Sequence, residues 1–118
     1  MRRDRERLAD ILAAVTDIAD FTEGMTEPEF LAIETADRKT YRAIIACLIA
    51  LGEAVKALSD EVKARHPEID WRGYGGLRDI FTHQYFQVQL GLVWTTITQE
   101  LPALREAVRE ELERTPEE

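Results

Sequence analysis

Apolar side chains recur at intervals of three and four along residues 37–58, and this spacing constrains the fold more than any other feature. Such spacing puts the apolar positions on one face of a helix. The repeating positions are Tyr41, Ile44, Leu48, Leu51, Val55 and Leu58. Ile45 and Ile49 widen the stripe. The segment therefore predicts a long central helix with a broad face toward the core.

The same spacing appears near both ends of the chain. Residues 4–21 and residues 90–108 each predict an amphipathic helix, and Pro102 is expected to kink the second. The apolar positions are Leu8, Ile11, Leu12, Val15 and Ile18 in the first segment, and Leu90, Trp94, Ile97, Leu101, Leu104 and Val108 in the second. No segment alternates as a strand would. The fold class is therefore all-α, an antiparallel helical bundle with a long central and a long C-terminal helix.

Shorter helices are predicted between the long ones. Thr26 and Glu29 have the spacing of a capping box and open a short helix. Ser59 and Asp60 can cap a further turn that ends before Pro67, because the residue before a proline disfavours helical geometry.

Asp70 can cap a helix that contains Arg78. His66, at a predicted helix end, is interpreted as a cap for backbone carbonyls. The aromatic residues Trp71, Trp94 and Tyr41 are interpreted as core or interface residues, and Tyr74, which lies among glycines, is a weaker candidate for RNA contact.

Length and charge limit the class of protein. With 118 residues, 45% of them hydrophobic, the chain suits one domain over 1–118, with a disordered tail at 115–118. The lone Cys47 excludes an internal disulfide. The charged N-terminus resembles neither a secretory signal nor a membrane span, so a cytoplasmic protein is expected. A net charge of −8 argues against indiscriminate coating of nucleic acid.

Basic residues nevertheless cluster locally. One group lies at 38–42 and another at 63–78, against an acidic segment at 106–118. These groups are either solvated helix faces or, if they converge in the fold, an RNA site.

The segment 78–85 concentrates the chain's best candidate chemistry. Arg78 offers a permanently charged fork of donors for phosphate oxygens, His83 adds an imidazole that can accept or donate a proton, and Tyr85 adds a phenol. A structural ion pair or packed polar contact is the alternative. On an ideal helix His83 lies about 140° from Arg78, so a helix break near 86–89, or a partner subunit, is needed to bring the groups together.

The spacing Arg78, four residues, His83, one residue, Tyr85 resembles the RX4HXY signature of the HEPN superfamily. The flanking runs Arg65-His-Pro-Glu-Ile-Asp-Trp-Arg and Leu51-Gly-Glu-Ala-Val-Lys-Ala-Leu-Ser are similar to its HepT-like (DUF86) branch. Asp79 departs from the asparagine expected after the motif Arg, and its carboxylate could hold Arg78 while lowering the local positive potential. Glu53 either orients Arg78 or points to solvent.

This resemblance implies a HEPN-type bundle and a metal-independent endoribonuclease toxin that needs no cofactor. It further implies a homodimer that forms the active cleft, an RNA substrate, and a cognate minimal nucleotidyltransferase antitoxin that can transfer AMP to Tyr85. Arg78 and His83 would be catalytic, with Tyr85, Asp79 and Glu53 in support and no metal ligands. The alternatives are a noncatalytic HEPN protein that binds or regulates a nucleotidyltransferase, and a plain helical interaction module.

Overall fold

A computed structural model describes residues 4–83 and 89–114 of the chain. In these residues it contains α-helices, one π-helical turn and no strand, with a radius of gyration of 14.4 Å. The predicted all-α class is confirmed.

Three helices form the centre of the bundle. They are α1 (Asp4–Thr22), α4 (Arg38–Lys56) and α9 (Leu101–Arg114), and α1 packs against both of the others. The Asp4 carboxylate accepts hydrogen bonds from the backbone N–H and the hydroxyl of Ser59, at 3.0 and 2.6 Å, just beyond the end of α4. Arg5 donates to the carbonyl of Leu112 near the end of α9. The start of α1 therefore meets the ends of both neighbours, and α1 runs antiparallel to them.

Two short helices connect α1 to α4. These are α2 (Glu27–Leu31) and α3 (Ile33–Ala36), where a single short helix was predicted. The predicted capping box is present: Glu29 N–H donates to the Thr26 hydroxyl, and Thr26 N–H donates to the Glu29 carboxylate at 2.8 Å. Asp37 caps α4 by accepting from the N–H of Thr40.

Three more short helices follow α4: α5 (Asp60–Arg65), α6 (Trp71–Gly75) and α7 (Leu77–His83). Ser59 caps α5, which ends before Pro67, as predicted. Asp70 caps α6, but the prediction that this helix contains Arg78 is wrong. The helix ends at Gly75, and Gly76 separates it from α7, because these glycines weaken helix propagation.

The C-terminal helical segment is interrupted rather than uniform. It consists of α8 (Leu90–Thr95), a π-helical turn at Thr96–Glu100 and then α9. The Leu101 N–H donates five residues back to the Thr96 carbonyl. The wide turn immediately precedes Pro102, which cannot donate an i to i−4 bond. The predicted disturbance at Pro102 therefore takes the form of a π turn.

The core is built from the predicted apolar stripes. Leu8, Leu48, Leu51 and Leu104 are at most 1% exposed, and Phe30 from α2 is equally buried. The ring of Phe30 lies 5.2 Å from that of Trp94. Trp71 is buried and donates its indole N–H to the carbonyls of Lys63 and His66. Within the described residues, no helix is long and apolar enough to cross a bilayer.

Candidate functional site

Helix α7 carries two of the three motif residues on the protein surface. Phe81 is buried and fixes the helix against the bundle, whereas Arg78 and His83 are exposed. Arg78 lies in the first turn and His83 is the last residue of the helix as described. Tyr85 and the predicted break at 86–88 lie outside the described residues; Gln89 is extended and precedes α8.

The position of α7 depends on a glycine in the central helix. Gly52 is buried, and a Cβ atom there would lie 2.7 Å from the carbonyl oxygen of Tyr74 and 3.6 Å from the backbone nitrogen of Arg78. Only a residue without a side chain permits this approach. The backbone of α6 and the start of α7 therefore rest directly on α4.

Close packing at Gly52 brings Arg78 beside Glu53. The Arg78 Nε lies 3.6 Å from the Glu53 Oε2, and the two side chains are 61% and 57% exposed. Glu53 therefore faces both Arg78 and solvent. An exposed pair of this kind contributes little to stability, so the guanidinium can exchange the carboxylate for another anion.

Asp79 is exposed in the first turn of α7, where a negative charge is favourable. The carboxylate that the structure places within 4 Å of Arg78 is Glu53. Five residues separate Arg78 from His83, so the side chains leave the helix about 140° apart and about 7.5 Å apart along its axis. One copy of α7 does not bring them to a common point by itself.

The first basic group of the sequence lies away from Arg78. Arg42 lies near the start of α4 and Glu53, beside Arg78, near its end. Eleven residues of helix separate these positions by about 16 Å. In the second group, Arg65 turns inward to Glu111, with its Nη2 2.7 Å from the Glu111 Oε1. Arg42 is therefore distant from Arg78, and Glu111 neutralises the charge of Arg65.

His66 has a different role from the predicted carbonyl cap. Its ring is buried, and its Nε2 lies 2.7 Å from Oε2 of Glu111, which is itself only 2% exposed. The hydrogen bonds from Arg65 and His66 lower the pKa of the Glu111 carboxyl, Arg65 having the larger effect. The prediction failed because the anionic partner is 45 residues away in sequence.

Burial decides the interpretation of Tyr74. Tyr74 is 5% exposed, and this burial raises the pKa of its phenol. A buried ring cannot stack on a base, so the suggested RNA contact at Tyr74 is wrong. Within residues 4–83 and 89–114, no three His, Cys, Asp or Glu side chains are grouped so that they could hold a metal ion.

Comparison with known proteins identifies the family. The profile of the family described as ribonuclease HepT-like matches residues 11–111, which include α7 and its motif. The chain belongs to this HepT-like family. A protein of Methanocaldococcus jannaschii named "Putative RNase MJ0127" is 39% identical over 98 residues, 83% of this chain and 78% of its own length.

A second relative, from Thermococcus cleftensis, is named "Probable ribonuclease HepT". It is 36% identical over 104 residues, which cover 88% of this chain and 91% of the relative. No solved structure gives a significant match to this HepT-like chain.

Proposed function

We propose that this protein is a metal-independent endoribonuclease toxin that acts as a homodimer and is paired with a minimal nucleotidyltransferase antitoxin. The main support is the family match across 11–111, which includes Arg78 and His83 on the exposed surface of α7. The names of the two relatives support the coarser statement that the protein is a ribonuclease. The toxin role and the dimer rest on the family resemblance, and the cytoplasmic location is a proposal from the sequence.

The chemistry that fits these side chains uses the nucleophile that RNA already carries. The 2′-oxygen attacks the adjacent phosphorus, the bond from phosphorus to the 5′-oxygen breaks, and a 2′,3′-cyclic phosphate forms. His83 of one subunit accepts the 2′ proton, and the partner's His83 donates a proton to the departing 5′-oxygen. Arg78 holds the nonbridging oxygens, whose negative charge increases in the phosphorane.

The geometry of α7 favours a dimer for this reaction. Arg78 and His83 leave the helix in different directions, and both are open to solvent. A second α7 can complete a set of two His83 side chains, one from each subunit, and an Arg78 around a phosphate. In the free protein, Glu53 holds Arg78 loosely at 3.6 Å, and the RNA phosphate takes its place.

Removing either motif residue should abolish cleavage without unfolding the protein. Purified protein with RNA in excess chelator should yield 2′,3′-cyclic phosphate ends. His83→Ala and Arg78→Ala should each reduce the rate by about 10²- to 10⁴-fold, because proton transfer or charge stabilisation is lost. Arg72→Ala, at an exposed arginine on α6, is the matched control and should remain active. Unchanged RNA across many substrates would contradict the proposal.

We further propose Tyr85 as the residue to which the antitoxin transfers AMP. The phenol oxygen would attack the α-phosphorus of ATP and release pyrophosphate, adding bulk and negative charge where the RNA phosphate must lie. Intact-mass measurement after coexpression with the neighbouring nucleotidyltransferase should show an AMP-sized increase that Tyr85→Phe removes. An unchanged mass in the wild-type protein would leave tight binding as the means of neutralisation.

A second candidate is a noncatalytic HEPN protein that binds or regulates its nucleotidyltransferase. The carboxylate of Glu53 beside Arg78, together with Asp79 in the next position, favours this candidate because both lower the positive potential that a phosphate would meet. Copurification with the nucleotidyltransferase, combined with no RNA cleavage by the free protein, would select it over the ribonuclease.

A further inference from the structure

A shallow hollow of about 460 Å³ lies between α1 and α4. Its lining consists mostly of small side chains, and Cys47 is its only thiol. The small residues are Ala13, Ala14, Ala46, Ala50 and Ala54. Ala13, Ala46 and Ala50 are exposed, although they lie in the middle of the two 19-residue helices. Alanines at such positions let another backbone approach closely, but they do not indicate which partner does so.

The hollow lies on the side of the bundle formed by α1 and α4, which we call the α1–α4 face. Charged side chains at the four corners of this face, two on each helix, indicate which partner covers it. Arg7 and Glu53 line the end of the hollow where α1 begins and α4 ends. At the other end, Asp17 lines it on α1, and Arg42 is exposed one turn before Ala46 on α4. The sign of the charge therefore alternates, both along each helix and across the face between the helices.

A surface whose corner charges alternate in this way is complementary in charge to a second copy of itself. A two-fold axis in the plane of the face and perpendicular to the helices sets Arg7 opposite the partner's Asp17, and Arg42 opposite the partner's Glu53. An axis parallel to the helices sets Arg7 opposite the partner's Glu53, and Asp17 opposite the partner's Arg42. Every corner meets its opposite sign in both arrangements, and such an interface uses the same patch on both subunits.

Partners of a single charge sign fit this face less well. A basic helix would repel Arg7 and Arg42, and an acidic one would repel Asp17 and Glu53. Asp10, which also lines the hollow beside Arg7, adds negative charge at one position without changing the alternation. RNA also fits this face less well, because Asp10, Asp17 and Glu53 oppose the positive charge that phosphate binding requires.

We propose that the α1–α4 face is the surface through which two copies of this protein associate, with the alanine-lined hollows closing against each other. This inference deepens the proposed homodimer and rests on it, but not on ribonuclease activity. Glu53 lies on the rim of the hollow and 3.6 Å from Arg78. An axis parallel to the helices therefore places Arg78 of both subunits at the same end of the interface, as a shared cleft requires, whereas the perpendicular axis places them at opposite ends.

A large charged side chain in the hollow should separate the subunits. Ala50→Arg should weaken the dimer by about 100-fold or more in sedimentation or light-scattering titrations, because symmetry introduces the change twice. Ala103→Arg, at an exposed alanine in α9, is the control and should dimerise normally. Circular dichroism establishes that both variants are folded. A dimer as tight in Ala50→Arg as in the wild type would overturn the inference.

Charge reversal tests the corners and distinguishes the two axes. Arg7→Glu and Asp17→Arg should each weaken the dimer by about tenfold. The double variant regains affinity only if the axis is perpendicular to the helices. Asp17→Arg with Arg42→Glu regains it only if the axis is parallel. Failure of both pairs to recover would contradict the predicted complementarity.

Measurement of RNA cleavage on the same samples separates this inference from the proposed function. If the wild-type protein is a dimer that cleaves RNA, and the Ala50→Arg variant dimerises equally well, the proposed interface is overturned but the ribonuclease activity is not. If Ala50→Arg dissociates the dimer but the wild-type dimer does not cleave RNA, the proposed ribonuclease activity is overturned and the proposed interface is supported. A wild-type protein that is monomeric at high concentration overturns the interface and the homodimer together.

Discussion

At the scale of single residues, the best-formed polar contacts are structural and lie away from the motif. Glu111 is buried on α9 and accepts hydrogen bonds from Arg65 at 2.7 and 3.1 Å, while His66 lies 2.7 Å away. These contacts tie α9 to the end of α5. Arg78 and His83 are exposed, and the contact of Arg78 with Glu53 is longer, at 3.6 Å.

Loss of the Glu111 charge should destabilise the fold in a pH-dependent way. Glu111→Gln keeps the side-chain shape but removes an ionic partner from Arg65, and should cost about 2 kcal/mol at neutral pH. The folded-state pKa of Glu111 lies below the ordinary value of 4.5. The stabilisation is therefore complete above about that pH and is lost as the pH falls through the folded-state pKa.

Urea unfolding of the wild type and Glu111→Gln between pH 3 and 7 measures this effect. The difference in the free energy of unfolding between the two proteins should disappear in acid. Glu110→Gln, at the exposed neighbouring position, should match the wild type throughout. A difference in the free energy of unfolding that stays constant with pH would show that the loss of stability does not come from the charge of Glu111.

At the scale of elements, the glycine in the central helix decides where α7 lies. Gly52 would normally weaken α4 by about 1 kcal/mol relative to alanine. The structure retains it because a Cβ atom would meet the Tyr74 carbonyl at 2.7 Å and the Leu77 Cβ at 3.3 Å. Helix propensity and packing thus oppose each other here, and packing prevails.

Gly52→Ala should therefore destabilise the protein, despite the better helix propensity of alanine. Overpacking against a backbone carbonyl should cost about 1–3 kcal/mol, and the shift of α7 should reduce RNA cleavage. Gly91→Ala is the control, because a Cβ atom there meets nothing within 4 Å. It should change the free energy of unfolding by between zero and about 1 kcal/mol in the stabilising direction. Equal stability of the two variants would contradict the packing account.

At the scale of the whole molecule, one core joins the three main helices. Leu8, Leu51 and Leu104 come from α1, α4 and α9, and all are essentially buried. The chain is therefore expected to behave as the single domain predicted from its length, with one cooperative unfolding transition in calorimetry. The charged corners of the α1–α4 face belong to this scale too, because they come together only when the two helices pack side by side.

The sequence by itself determined the long helical segments, the residues that cap several helices and the location of the motif. Apolar spacing and capping residues such as Thr26, Ser59 and Asp70 act within a few residues, so their effects can be read locally. The pairing of Arg78 with Glu53, the burial of Glu111 against Arg65 and His66, and the π turn before Pro102 are features of the folded chain.

Tertiary packing decided those features because each depends on groups distant in sequence or on competing backbone geometries. Glu111 does continue the buried spacing of Leu104 and Val108 on α9, and that position was the available signal for a buried carboxylate. Its partners Arg65 and His66 come from the end of α5, and only the packing of that end against α9 brings them within hydrogen-bonding distance.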